Sequence, residues 1–191
     1  MKVLAINGSA RKDGNTAIMV RQVFAELEKE GVETHMEQLH GRNLAGCIAC
    51  YKCFERKDRR CAVTNDAMNG FIDQMEQADG IILASPTYFA DVSANMRAVV
   101  ERCGMVARAN QDMFARKAGA AVVAQRRGGA MQAFNTLNAF FLIGQMIVPG
   151  SSYWNLGFGR EIGQVENDEE GLRTMVDLGR NMAWLLKKIA G

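Results

Sequence analysis

The sequence predicts a doubly wound α/β domain, a five-stranded parallel sheet with helices on both faces. Three observations carry this. Short continuous apolar runs, such as Val3-Leu4-Ala5-Ile6 and Gly80 to Ala84, alternate with stretches whose apolar residues recur at helical spacing, the pattern of strands covered on both faces by crossover helices. Polar segments follow the carboxyl ends of the first, third and fourth runs, where open α/β sheets hold their ligands. The 191 residues, 48% hydrophobic and 23% charged, suit a single globular domain over residues 1–191 that buries about 70% of its unfolded surface.

The elements follow in order. The first strand ends at Asn7-Gly8, and a helix runs from about Asn15 to Glu30, with Phe24 and Leu27 inward and Gly31 as its stop. Val32 to Leu39 alternates loosely as a second strand. Residues 41–65 lack periodicity and carry four cysteines, so they form an inserted loop, and long loops in compact domains are usually functional. A helix from Asp66 to about Ala78 presents Met68, Phe71, Ile72 and Met75. Gly80 to Ala84 is the third strand and runs into Ser85-Pro86-Thr87-Tyr88-Phe89. Val92 to Cys103 is helical, and Ala118 to Ala124 is the fourth strand, followed by Gln125-Arg126-Arg127-Gly128-Gly129 and a helix from about Ala130 to Ile143. Met146-Ile147-Val148, stopped by Pro149-Gly150, reads as the fifth strand. The last helix spans about Asp168 to Ile189, with a broad stripe from Leu172 to Leu186.

A formal net charge of +2 gives no basic footprint for nucleic acid. The longest apolar stretch, Ala139 to Pro149, is too short to span a bilayer, and the run after Met1-Lys2 is too short for a secretory h-region. A cytoplasmic protein is expected. Its clustered cysteines then read as metal or redox ligands rather than as a disulfide framework.

The loop Asn7 to Thr16 joins a strand's carboxyl end to a helix's amino end, where backbone N–H groups lack partners and the dipole favours an anion. Ser9, Asn15 and Thr16 add short hydrogen-bonding groups, Gly14 permits close approach, and Arg11 supplies a charged fork of donors. No Gly-Lys-Ser/Thr ending or Gly-x-Gly-x-x-Gly is present, so a terminal phosphate monoester suits the loop better than a pyrophosphate. An ordinary capped turn is the plain alternative. On the next edge, Pro86, Thr87, Tyr88 and Phe89 offer a stiff turn with aromatics for a flat ring, or simply aromatics that close the core.

Gly-Ser-x-Arg-x-x-Gly-Asn-Thr and Ser-Pro-Thr-Tyr-Phe together resemble the flavodoxin-like NAD(P)H-dependent FMN reductases, and the resemblance extends over almost the whole chain. It implies FMN, with its phosphate on Ser9, Arg11, Gly14, Asn15 and Thr16. It also implies the isoalloxazine along Pro86 to Phe89, with Arg126, Gly128 and Gly129 in a third flavin loop. Trp154 covers the flavin, lies in an interface or packs a long loop. Cys103, on a helix with apolar neighbours, reads as core, and His35 as structural.

Cys47, Cys50, Cys53 and Cys61 read C-x2-C-x2-C-x7-C. Three thiols at every third residue with a fourth returning favour an iron–sulfur cluster over zinc; zinc, a thiol–disulfide pair or no ligand remain as alternatives. On this fold the motif resembles the iron–sulfur flavoproteins, which implies that the four cysteines bind [4Fe–4S]. Arg56, Lys57, Arg59 and Arg60 in the long spacer could stabilise a negative cluster, dock an acidic partner or merely be solvated. The function implied is electron transfer between a ferredoxin-type donor and a small acceptor in a homodimer or homotetramer, with FMN carrying the chemistry and no catalytic side chain. The alternative is an NAD(P)H-dependent FMN or quinone reductase with incidental cysteines, and a third reading is a flavin or metal sensor. No membrane or nucleic-acid partner is expected.

Overall fold

The computed structural model describes residues 1–190. Strands β1 (Lys2–Asn7), β2 (Glu33–Gln38), β3 (Gly80–Pro86), β4 (Ala118–Gln125) and β5 (Leu156–Phe158) form one sheet in the order β2-β1-β3-β4-β5, every pairing parallel. This is the flavodoxin-like order, and the chain's winding reverses between β1 and β3, so a crevice opens outside their carboxyl ends. The helices are α1 (Asn15–Lys29), α2 (Lys52–Arg56), α3 (Met68–Gln77), α4 (Ala94–Ala109), α5 (Ala130–Ile143) and α6 (Glu169–Ala190).

The period of two along each strand divides the core. Val3, Ala5, Ile82, Ala84, Ala120 and Val122 face a layer built by α1 (Met19, Val23, Leu27) and α6 (Met175, Leu178, Met182). Leu4, Ile6, Ile81, Leu83, Ala121 and Val123 face the opposite layer, built by α3, α4 and α5 through Phe71, Ile72, Val99, Cys103, Leu137 and Phe141. Both faces are covered, which explains why the central strands read as unbroken apolar runs. No helix among the described residues is long and apolar enough to cross a membrane.

One expected strand lies elsewhere. Met146 to Val148 does not form β5; Ile147 makes only an isolated parallel bridge to Ala118 at the amino end of β4. Pro149 lacks an N–H to continue that ladder. The chain leaves the sheet and returns as Leu156–Phe158 beside Val123 to Gln125. The edge of β4 is thus shared by two segments, and the second reaches the ligand-binding end. Two other expectations are adjusted: α4 continues beyond Cys103 with Val106, Ala107 and Ala109 still buried, and residues 41–65 contain the five-residue helix α2.

Candidate functional site

The loop after β1 folds on itself. The Ser9 amide donates to Asn7 Oδ1 (3.0 Å), the Arg11 amide to Ser9 Oγ (3.0 Å) and the Gly14 amide to the Arg11 carbonyl (3.1 Å). These Asx- and Ser-type turns lead into α1, which has Gly14 as its cap and no side-chain cap bond. The first intrahelical bond runs from the Ile18 amide to the Gly14 carbonyl, so the amides of Asn15, Thr16 and Ala17 have no helical acceptor and present the positive end of the dipole. Gly8 is required for closeness: a Cβ there would lie 2.9 Å from Met96 Cβ and from Ser93 Oγ.

The loop is closed by residues distant in sequence. Tyr88 Oη accepts the Ala10 amide (3.0 Å), and His40 Nδ1 lies 2.6 Å from the Ala10 carbonyl. Arg11 Nη1 donates to the Arg160 carbonyl (2.7 Å). The Asn15 side chain donates to the Glu161 carbonyl (2.9 Å) and accepts the Val165 amide (3.3 Å). The carboxamide of Asn15 therefore ties the 160s loop to α1 and is not directed at the crevice as a free donor; only its backbone amide stays open in the first turn.

A crevice of about 310 Å³, within the usual range for small-molecule sites, is lined by Ser9, Arg11, Asn15, Thr16, Pro86, Thr87, Tyr88 and Arg126, together with Gly159 and Arg160. Thr87 Oγ1 is buried without a hydrogen-bond partner. Buried hydroxyls are normally paired, so this one is a candidate partner for a polar ligand atom at the turn, and the hydroxyls and guanidinium groups lining the crevice suit FMN. Phe89 is fully exposed and projects outside the crevice. Gly129 abuts Thr87, since a Cβ there would lie 3.7 Å from Thr87 Cγ2, but neither Gly128 nor Gly129 lines the crevice. Trp154 packs against Tyr153 with ring centroids 4.9 Å apart and the rings tilted by 58°, also outside it. Arg160 and Gly159 carried no motif; only their position just after the short β5 brings them here.

Cys47, Cys50, Cys53 and Cys61 all line a second, small cleft between the cysteine loop and α4. All are free thiols; Cys47 and Cys50 are exposed and Cys53 is buried. Helix α4 forms the floor. Glu101 Oε2 accepts the Cys47 amide (3.1 Å), and Cys53 Sγ lies 3.9 Å from the Met105 carbonyl. Asn69 of α3 grips Cys61 at both backbone groups, accepting its amide (2.8 Å) and donating to its carbonyl (3.0 Å). Arg102 Nε donates to Cys61 Sγ (3.3 Å). Soft thiolate donors in this number suit an iron–sulfur cluster in chemistry, and their convergence on one cleft suits it in place. Among the described residues no three such side chains are close enough together to hold a metal ion.

Burial pushes the Cys53 thiol up. Burial also works against ionised Asp66, but the Arg102 guanidinium and the Met68 amide outweigh it and hold the carboxyl below its usual range. Burial raises Cys103 to about 12, which leaves it an inert core thiol. The basic spacer is largely neutralised: Arg56 pairs with Asp58, Arg59 with Glu76 and Arg60 with Asp73.

The family model described as NADPH-dependent FMN reductase matches residues 1–161. The chain is 36% identical to an iron–sulfur flavoprotein of Methanocaldococcus jannaschii over 99% of both chains. It is 30% identical to an iron–sulfur flavoprotein of Archaeoglobus fulgidus, again over 99% of each. Its fold matches that of a flavodoxin from the domain Archaea with a TM-score of 0.63 at 17% identity, covering 98% of this chain and 99% of that one, a likeness of fold alone.

Proposed function

The chain belongs to the NADPH-dependent FMN reductase family, in its iron–sulfur flavoprotein branch, and is an FMN-dependent oxidoreductase; from that premise we propose that it passes electrons from a ferredoxin-type donor to a small acceptor through a [4Fe–4S] cluster and FMN. The observation that carries this reading is the convergence of Cys47, Cys50, Cys53 and Cys61 on one cleft over α4. When bound, the cluster supplies one-electron transfer and FMN stores two electrons and releases them singly or together.

The chain's residues bind and orient. Arg11 and the open first turn of α1 hold the FMN phosphate, with Ser9, Gly14 and Thr16 shaping the loop around it. Pro86, Thr87 and Tyr88 flank the ring, with Arg126 nearby and Phe89, Gly128 and Gly129 on its outer rim. A homodimer or homotetramer is part of the proposal. It is supported by an apolar groove of about 880 Å³ between α4 and α5, whose lining includes Cys47, Tyr51 and the exposed Ile143. The second reading, an NAD(P)H-dependent FMN or quinone reductase without a working cluster, is favoured by the match of residues 1–161 to the NADPH-dependent FMN reductase model.

The test is anaerobic. Cys50 is exposed, so Cys50→Ala removes a ligand without disturbing packing. Iron content and ferredoxin-driven flavin reduction are expected to fall at least tenfold while FMN content is kept. A variant that retains the parent's ferredoxin-driven rate favours the reductase.

A further inference from the structure

Arg102 is among the largest fully buried side chains, 1% exposed, and sits on α4 beneath the cysteine loop. Burying a guanidinium is costly unless it is paired and hydrogen-bonded throughout. Here Nη1 pairs with Asp66 and donates to the Ala45 carbonyl (3.2 Å), Nη2 donates to the Val63 carbonyl (2.8 Å), and Nε donates to Cys61 Sγ (3.3 Å). Ala45 precedes Cys47 and Val63 follows Cys61, so one side chain ties together the two arms of the loop that carries all four cysteines. Asp66 completes the knot by accepting the Ala45 and Met68 amides (3.4 and 3.1 Å).

Stability alone is a poor reason for this arrangement, because an apolar side chain of similar volume commonly replaces a buried ion pair without loss. An apolar residue could not donate to a sulfur. We infer that Arg102 is the positioning residue of the cysteine site: it fixes Cys61 Sγ and closes the loop, and with a cluster held there it raises the reduction potential. A charge-assisted hydrogen bond to a ligand sulfur stabilises the more negative, reduced state more than the oxidised one, and hydrogen bonds to the sulfurs are among the determinants of cluster potential. Partners that orient metal ligands typically change metal affinity by about 10–100-fold. The inference rests on the proposed function for the cluster, but the loop clamp exists without it.

Two variants test it after anaerobic reconstitution. Arg102→Lys keeps a positive charge and loses the planar fork. Arg102→Leu combined with Asp66→Asn removes the pair together and leaves no orphaned charge. Both are expected to keep FMN, to show a cluster midpoint more negative than the parent's in redox titration followed by electron paramagnetic resonance, and to lose iron to a chelator about tenfold faster. Loss of iron at full FMN occupancy in the double variant supports the same assignment. Parental midpoints and chelation rates in both variants overturn it. If the parent takes up no iron, the proposed function fails and limited proteolysis of the iron-free protein decides the clamp. Faster cleavage within residues 45–63 of Arg102→Lys sustains it, and equal cleavage overturns it.

Discussion

The loop after β1 and the cysteine loop after β2 follow neighbouring strands and differ in how they are held. The first combines unstrained turns of its own with ties to Tyr88, His40, Arg160 and Glu161. Asn7, Ser9 and Arg11 bond the loop's own amides, Gly8, Ser9 and Gly14 are buried, and no residue between Asn7 and Thr16 has a positive φ. The second is exposed and has Ala49, Tyr51, Lys57 and Arg59 in the left-handed region, at a cost of about 1–2 kcal/mol for each such residue. It keeps its shape because α3 and α4 hold it through Asn69, Glu101, Arg102 and Asn110. The loop after β1 reaches its shape without left-handed residues, whereas the cysteine loop carries four and depends on the helices beneath it.

The same helix serves both. Ser93 caps α4 through the Met96 amide, and its own amide donates to Ser85 Oγ (3.0 Å), one residue before the Pro86 turn. Arg102 lies nine positions further on, about 13 Å along the helix axis. The turn after β3 and the cysteine floor are therefore both tied to one helix.

This difference in support explains what could be read from the sequence. The phosphate loop was legible because the residues that shape it are adjacent, and the central strands because both faces are covered. The spacing of the cysteines was legible, but their support was not: Asn69, Glu101 and Arg102 carry no local signal, and Arg102 reads as an ordinary solvated helix charge until α4 is placed under the loop. The fifth strand was misplaced because Met146 to Val148 is apolar whereas Leu156-Gly157-Phe158 is short and includes a glycine. The packing that favours a small residue there is visible only in the fold: a Cβ of Gly157 would lie 2.7 Å from Met19 Sδ and 2.9 Å from Val165 Cγ2.

If the two loops are independent, damage to one should spare the other. The largest effect is expected from Gly159→Ala. A Cβ at Gly159 would lie 2.5 Å from Asn15 Nδ2 and 2.8 Å from the Val165 amide nitrogen, and backbone cannot yield as a flexible side chain can. Overpacking of this kind costs about 1–3 kcal/mol, so Tm should fall by roughly 2–12 °C and FMN should be largely lost, with iron uptake on reconstitution unchanged. Parallel loss of iron would show that the loops are coupled through the sheet.

Arg11→Ala narrows the effect to the phosphate. The guanidinium is exposed and bonds the Arg160 carbonyl, so the fold should tolerate its removal. A hydrogen bond to a charged group is worth about 1.5–3 kcal/mol, which corresponds to roughly 10–100-fold weaker FMN binding by titration. Riboflavin, having no phosphate, should bind as before. An equal loss for both ligands would move the phosphate away from Arg11.

The smallest effect has opposite signs in the empty and loaded protein. Thr87→Val keeps the side-chain shape, and the Thr87 amide still donates to the Ala124 carbonyl (2.8 Å), so the turn should stay in place. What changes is Oγ1, which is buried and unpartnered. An unsatisfied buried hydroxyl costs about 1–3 kcal/mol, so flavin-free protein should gain stability, with Tm rising by roughly 2–4 °C for each kcal/mol recovered. If the hydroxyl exists to meet the flavin's polar rim, the same substitution removes one hydrogen bond of about 0.5–1.5 kcal/mol, and FMN should bind about twofold to tenfold more weakly. Calorimetry of the flavin-free form and fluorescence titration with FMN read the two effects separately. A stability gain with unchanged affinity would place the ring away from Thr87. No gain at all would mean that Oγ1 is already satisfied by water, and the buried oxygen would no longer argue for a ligand at this turn.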